Sequence, residues 1–189
     1  NSSANGTVGT GLSSAAEMII VKNIENGSAL WSVYNSSVGA NQTAHLNTTA
    51  AYGGSGDWNS TTATDSVFSI GSSASGRTNS SGQNHIAYAF HSVDGYSKMG
   101  SYVGGGATDV PVNLGFRPAF VMVKASSASG NWTMYDNKRQ TGTGAYENYT
   151  ILLADDSYQE QADNTIRGIQ FNSSGFILNQ NYSLTNTSG

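Results

Sequence analysis

Ala16-Glu17-Met18-Ile19-Ile20-Val21-Lys22 recurs 102 residues later as Pro118-Ala119-Phe120-Val121-Met122-Val123-Lys124, and this pair decides the fold. Each stretch holds a short run of large apolar residues bounded by polar ones, as expected of a strand buried on both faces. The echo continues in order. Trp31-Ser32-Val33-Tyr34 returns as Trp132-Thr133-Met134-Tyr135 at an offset of 101. Val67-Phe68-Ser69-Ile70 answers to Gly175-Phe176-Ile177-Leu178 at 108, and Thr78-Asn79-Ser80-Ser81-Gly82 to Thr185-Asn186-Thr187-Ser188-Gly189 at 107. A spacing near one hundred residues is too long for a solenoid repeat and fits a duplicated β module with loops of unequal length. The expected architecture is all-β: two tandem β-sandwich modules of jelly-roll or lectin-like type, at 1–104 and 105–189.

In the first copy, Gly82 is soon followed by Asn84-His85-Ile86-Ala87-Tyr88-Ala89-Phe90. Its alternation of large and small apolar residues suggests an interior strand packed on both sides. Gly189 holds the place of Gly82, so the second module is expected to be truncated before its last strand. Later residues of a longer polypeptide, or a neighbour's strand, would complete it.

Further strands are expected at 44–47, 66–70, 85–91, 98–103, 112–116, 149–154, 166–171 and 175–179. Asn26-Gly27, between two strand runs, signals a hairpin with a type I′ turn, because both residues accept positive φ. Alternation puts Trp31 and Val33 on one strand face, and Trp132 and Met134 repeat the pattern. These four are expected in the core. Trp58, after the loop Gly53-Gly54-Ser55-Gly56-Asp57, is expected to be partly exposed.

Composition narrows the function classes. Charged residues are only 11% of the chain, the formal net charge is −4, and neutral polar residues fill the gap. With no Lys/Arg cluster, nucleic acid is not an expected partner. With no cysteine there is no disulfide, thiolate chemistry or Cys-type metal site. The longest apolar runs are too short for a membrane span.

The motifs Glu17-Met18-Ile19-Ile20-Val21-Lys22, Leu46-Asn47-Thr48-Thr49-Ala50-Ala51, Trp58-Asn59, Ser66-Val67-Phe68, Tyr96-Ser97-Lys98-Met99-Gly100-Ser101-Tyr102 and Gly115-Phe116-Arg117-Pro118 follow one another in this order. Together they resemble a domain of tail-fibre and other surface proteins of tailed phages, especially marine ones, over roughly Gly11 to Gly189. The resemblance implies a virion-surface location and a part in fibre building or receptor contact. It carries over no catalytic residue.

The chain is read as a non-enzyme without cofactors. His85 and His91 lie on one strand face but about 20 Å apart along it, too far to share a metal. No Gly-x-Ser-x-Gly elbow exists; Gly53-Gly54-Ser55-Gly56-Asp57 fails at its last position. Asp155, Asp156, Glu160 and Asp163 form the densest acidic group and a weak calcium candidate, although the Asp-x-Asp-x-Asp-Gly spacing is absent. Tyr52, Trp58 and Asn59 are the candidates for glycan or receptor contact, since an aromatic body with a polar neighbour suits a half-wet sugar site.

Thirteen of the nineteen Asn residues stand in Asn-x-Ser/Thr sequons. Besides Asn1 they are Asn5, Asn26, Asn35, Asn41, Asn47, Asn59, Asn79, Asn131, Asn148, Asn172, Asn181 and Asn186. Two explanations remain open at this point: N-glycosylation of an extracellular surface, and turn chemistry that favours Asn followed by Ser or Thr. The expected function is a virion surface structural protein (a tail fibre, spike or decoration module) that takes part in assembly and host attachment. Its partners would be further copies of itself, other virion or filament subunits, and a host glycan or receptor. The alternative is a carbohydrate-binding module of a secreted, N-glycosylated cell-surface or filament protein.

Overall fold

The computed structural model describes residues 4–72, 76–139, 150–162, 169–179 and 185–186, and among them every regular element is a strand. The chain divides into two compact units, Asn1–Ser92 with Ser97–Ser101, and Val93–Tyr96 with Tyr102–Gly189.

In the first unit, β1 (Gly6–Gly9) pairs with β6 (Val67–Ile70). Five other strands form an antiparallel sheet of order β5-β4-β3-β2-β7: β2 (Met18–Asn23), β3 (Ser32–Asn35), β4 (Gln42–His45), β5 (Gly53–Gly54) and β7 (His85–Phe90). Burial alternates along β2, with Ile19, Val21 and Asn23 buried and Met18, Ile20 and Lys22 half-buried. The buried face, with Tyr34 of β3, meets Phe68, Val8 and Ile70 of the smaller sheet. Two sheets closing on one apolar layer make a β-sandwich.

The second unit uses the same plan. β9 (Phe120–Val123), β10 (Thr133–Asp136), β11 (Thr150–Leu153) and β12 (Gln161–Ala162) form one antiparallel sheet of order β12-β11-β10-β9. β8 (Val110–Asn113), β13 (Ile169–Asn172) and β14 (Gly175–Leu178) form the other, of order β13-β14-β8. Val121, Val123, Tyr135 and Ile151 pack against Ile169, Phe171, Phe176 and Leu178.

Residues that correspond in sequence pair in the same way. Val21 lies opposite Ser32 and Ile19 opposite Tyr34, while Val123 lies opposite Thr133 and Val121 opposite Tyr135. The Ser36 amide donates to Glu17 O, and the Asn137 amide to Ala119 O. The Trp31 amide donates to Asn47 Oδ1, and the Trp132 amide to Asp155 Oδ1. Asn79 Nδ2 reaches Ala4 O at 2.6 Å, and Asn186 Nδ2 reaches Thr108 O at 2.8 Å. These two buried amides act as clamps between corresponding segments of each unit, 79 to 4 in the first and 186 to 108 in the second.

Several local expectations fail for identifiable reasons. β7 is an edge strand, not an interior one: among the described residues it pairs only with β2, and Ile86, Tyr88 and Phe90 are exposed on its outer face. Residues 98–103 form no strand. The Met99 amide there bonds the Ser92 side chain and not a ladder partner. Gly27 does not adopt positive φ, so the 24–31 connection is not a type I′ hairpin. Instead Asn23 Oδ1 accepts the amides of Glu25 and Asn26, and the Ala29 amide closes a turn on Asn26 O. β1 escapes sequence reading because Gly6-Thr7-Val8-Gly9 offers one large apolar residue. The expected 166–171 strand is seen only from Ile169, its earlier residues lying outside the described ones.

Candidate functional site

The most elaborated polar site lies in the first unit, beneath the loop that follows β5. Asp57 is fully buried, a costly place for a carboxylate unless every oxygen is partnered. Arg77 answers with two bonds, Nε to Oδ2 at 3.1 Å and Nη2 to Oδ1 at 3.0 Å, in the forked geometry that guanidinium favours. Ser32 Oγ donates to Oδ2 at 2.8 Å, and the Ser55 hydroxyl accepts the Asp57 amide. Thr78 Oγ1 donates to Asp57 O at 3.0 Å. His45, the cross-strand neighbour of Ser32, stands beside this cluster. Burial lowers its pKa, the Arg77 charge lowers it further, and the Asp57 charge opposes both. Ser, His and Asp thus meet, but not as a nucleophile relay: the carboxylate bonds the serine and is neutralised by arginine. The arrangement is an anchor that pins the 53–60 loop to the sheet.

That anchor explains a reversal. Trp58, expected to be partly exposed, is 1% exposed. With Asp57 fixed to Arg77, the next side chain turns inward and packs edge-on against Tyr34 and Phe68, at centroid distances of 5.6 and 6.4 Å. The chain then leaves through Asn59 and Ser60, both at φ 50°, a left-handed conformation tolerated better by Asn than by most residues. Of the three residues considered for glycan contact, Asn59 is exposed, Tyr52 is half-buried with its hydroxyl pKa raised by burial, and Trp58 is unavailable. Trp31 and Met134, expected in the core, are half-buried, and Trp31 carries Lys22 Nζ 6.0 Å from its ring centroid. Val33 and Trp132 are buried as expected.

The three described residues of the acidic group each have partners of their own. Asp155 accepts bonds from Asn131 Nδ2 and the Trp132 amide, Glu160 pairs with Arg139, and Asp156 accepts the Tyr158 amide. Asp163 lies outside the described residues. Among the described residues no cluster of three His, Asp or Glu side chains could hold a metal.

The sequons divide by environment. Asn79 and Asn186 are the buried clamps and are closed to glycan attachment in the folded chain. Asn26, Asn35 and Asn172 each accept, through Oδ1, the amide of the Ser two residues on, so the sequon serine closes an Asx turn. That supplies a physical reason for the recurrence of Asn-x-Ser without any glycan. Asn5, Asn41, Asn47 and Asn59 are exposed and Asn131 is half-buried. Asn148 and Asn181 lie outside the described residues.

A cleft of about 210 Å³ opens between the sheets of the first unit, with Val21 and Phe68 among its apolar walls and Thr78, Asn84 and His85 at its polar end. It is smaller than the several hundred Å³ typical of ligand sites. Its polar groups are already engaged, Asn84 with Glu25 and Thr78 with Asp57.

Sequence reading missed the outer sheet faces. In the first unit Met18 and Ile20 are half-buried beside Phe90 and Tyr88, their cross-strand partners, which are 41% and 44% exposed. In the second, Phe120 is 55% exposed, with half-buried Met122, Met134 and Leu152 on the same face. The signal was present in β7, whose large residues alternate with alanines, but alternation alone does not say which face is covered.

No curated protein and no solved structure matches the chain. Among the described residues no helix is long and apolar enough to cross a membrane. The match that does cover the chain, over residues 1–189, is to a domain of unknown function, DUF7483, and the chain belongs to that family.

Proposed function

We propose that the chain is a non-enzymatic structural module of a surface assembly, the virion surface being the setting that its resemblance to phage tail-fibre domains suggests. The observation that carries the assembly half of this reading is the pair of apolar outer sheet faces. Isolated surface apolar residues are ordinary, but contiguous apolar faces mark sites of association. Charges border these faces, Lys22 opposite Ile86 and Asp136 opposite Phe120, and Asp136 is paired with Arg139. Host attachment through the loops is the second element of the proposal, with the exposed 59–62 turn presented on the Asp57 anchor. A sugar-binding module is less favoured, because burial of Trp58 removes the proposed stacking platform.

Sedimentation velocity across a wide concentration range tests the assembly reading. It predicts self-association or co-assembly that weakens when Tyr88 and Phe120 are replaced by lysine. A strictly monomeric chain that binds free oligosaccharides on a glycan array would favour the sugar-binding alternative.

A further inference from the structure

The two large sheets differ at one edge, and the difference specifies what would fit there. In the first unit β2 is bonded on both sides. Its odd-numbered residues Ile19 and Val21 face β3, following the Glu17–Ser36 bond. Its even-numbered residues Met18, Ile20 and Lys22 direct their backbone groups to β7, in step with the Ile24–Asn84 bond. In the second unit β9 is bonded to β10 in the same register, through Val121 and Val123. The backbone groups of Phe120 and Met122, which correspond to Met18 and Ile20, therefore point to the other edge. Among the described residues no strand pairs there.

We propose that this β9 edge is a docking site for one kind of occupant: an extended, uncharged strand with β7's alternation, laid antiparallel to Phe120–Val123. The first unit supplies the template. β7 carries no charged residue from His85 to Phe90, places Ala87 and Ala89 opposite Val21 and Ile19 on the core side, and sets Tyr88 and Phe90 beside Ile20 and Met18 outside. On β9 the same strand would put its small residues beside Val123 and Val121 and its large ones beside Met122 and Phe120. Main-chain bonds would give the affinity and the alternation the selectivity, as in strand addition to other open sheets. Phe120–Val123 itself carries no charge or proline to blunt the edge, those lying just outside it at Pro118 and Lys124, so such addition meets little resistance there. The site deepens the assembly reading by naming a joint, but the two can fail separately.

The test is a synthetic peptide with the sequence of residues 84–91, given solubilising lysines at its ends and added to the full chain. Binding should slow amide exchange at Phe120 and Met122 by roughly tenfold or more while leaving Val121 and Val123 nearly unchanged. A peptide carrying A87E and A89E should not bind. The variant Met122→Pro removes an N–H that faces the open edge and leaves the β9–β10 bonds intact; it should abolish binding without changing the melting temperature of the second unit. Three results would overturn the proposal. The first is no slowing at any peptide concentration reached. The second is equal binding of the charged peptide. The third is protection of Phe120 and Met122 without peptide that disappears on dilution, which would assign the edge to a second copy of the chain. Loss of peptide binding with self-association intact would sink the joint and leave the assembly reading standing.

Discussion

The two units share a frame and differ in what stabilises its centre. Tyr34 and Tyr135 are buried at matching places, as are Phe68 and Phe176. In the first unit Trp58 packs edge-on against both Tyr34 and Phe68. In the second, Tyr102 meets Phe176 edge-on and donates its hydroxyl to Thr185 O at 2.5 Å. Ser32 gives its hydroxyl to a buried carboxylate, whereas Thr133, at the matching position, gives its own to Val123 O. One strand register thus tolerates two interiors: a tryptophan-centred stack over a buried ion pair, and a mixed aliphatic and aromatic layer whose hydroxyls bond backbone carbonyls. The register is set by the alternation of β2 and β9, and the filling is left to the loops.

The sharpest way to break this comparison is at Trp58. Trp58→Ala should cost about 3–5 kcal/mol through a core cavity, while Trp31→Ala, at a half-buried position over Lys22, should cost about 1 kcal/mol or less. Urea denaturation followed by tryptophan fluorescence reads both. Similar losses at the two positions would contradict the burial assignment.

Next comes the ion pair. Asp57→Ala leaves Arg77 partly buried without its partner and should cost about 3 kcal/mol, the lower end for a broken buried pair because Arg77 keeps 22% exposure. The matched change in the second unit, Thr133→Ala, should cost about 1 kcal/mol. Equal costs would mean that the anchor adds nothing beyond an ordinary hydrogen bond.

The clamps should differ in step with their bonds. Among the described residues Asn79 makes one, to Ala4 O, while Asn186 gives its Nδ2 to Thr108 O and Asn179 O and accepts the Gly105 amide. Asn79→Ala should cost about 1 kcal/mol and Asn186→Ala about 3 kcal/mol, each read from the denaturation midpoint of its own unit. Equal costs would show that the extra bonds of Asn186 add nothing.

The smallest effect is a pH dependence confined to the first unit. The folded pKa of His45 is lowered, so between the folded value and the ordinary 6.5 the unfolded chain binds the extra proton. Stability therefore rises with pH across that window. The contribution is complete above 6.5 and is lost as pH falls through the window toward the folded value. Denaturation midpoints over this range should show the slope in the native chain and lose it in His45→Gln.

The fold was legible where residue type and period agree. The apolar runs at 18–21 and 120–123, with their partners at 32–35 and 133–136, marked paired strands at corresponding places, although their continuity suggested burial on both faces and the structure leaves one face of each partly open. What failed turned on contacts that sequence spacing does not encode. Trp58 looked like a loop residue because it follows the Gly-rich stretch 53–57 and precedes Asn59. The Arg77–Asp57 bond that draws it inward spans twenty residues and leaves no local pattern. β7 looked like an interior strand because apolar residues, large and small, occupy both of its faces, and nothing in Ile86-Ala87-Tyr88 reveals whether a second layer covers the large ones. The sequons admit two readings, because Asn-x-Ser is the spacing of a glycan acceptor and also of an Asx turn.

The central claim is that corresponding strands β2 and β9 occupy unequal positions: among the described residues one is bonded on both edges and the other on one. Residue-resolved amide hydrogen exchange on the isolated chain tests it most directly. The account predicts slow exchange at Ile19, Val21, Val121 and Val123 alike, slow exchange at Met18 and Ile20, and fast exchange at Phe120 and Met122. Protection of Phe120 and Met122 equal to that of Met18 and Ile20, and unchanged on dilution, would show that the second sheet already has a strand at that edge, and would contradict the claim.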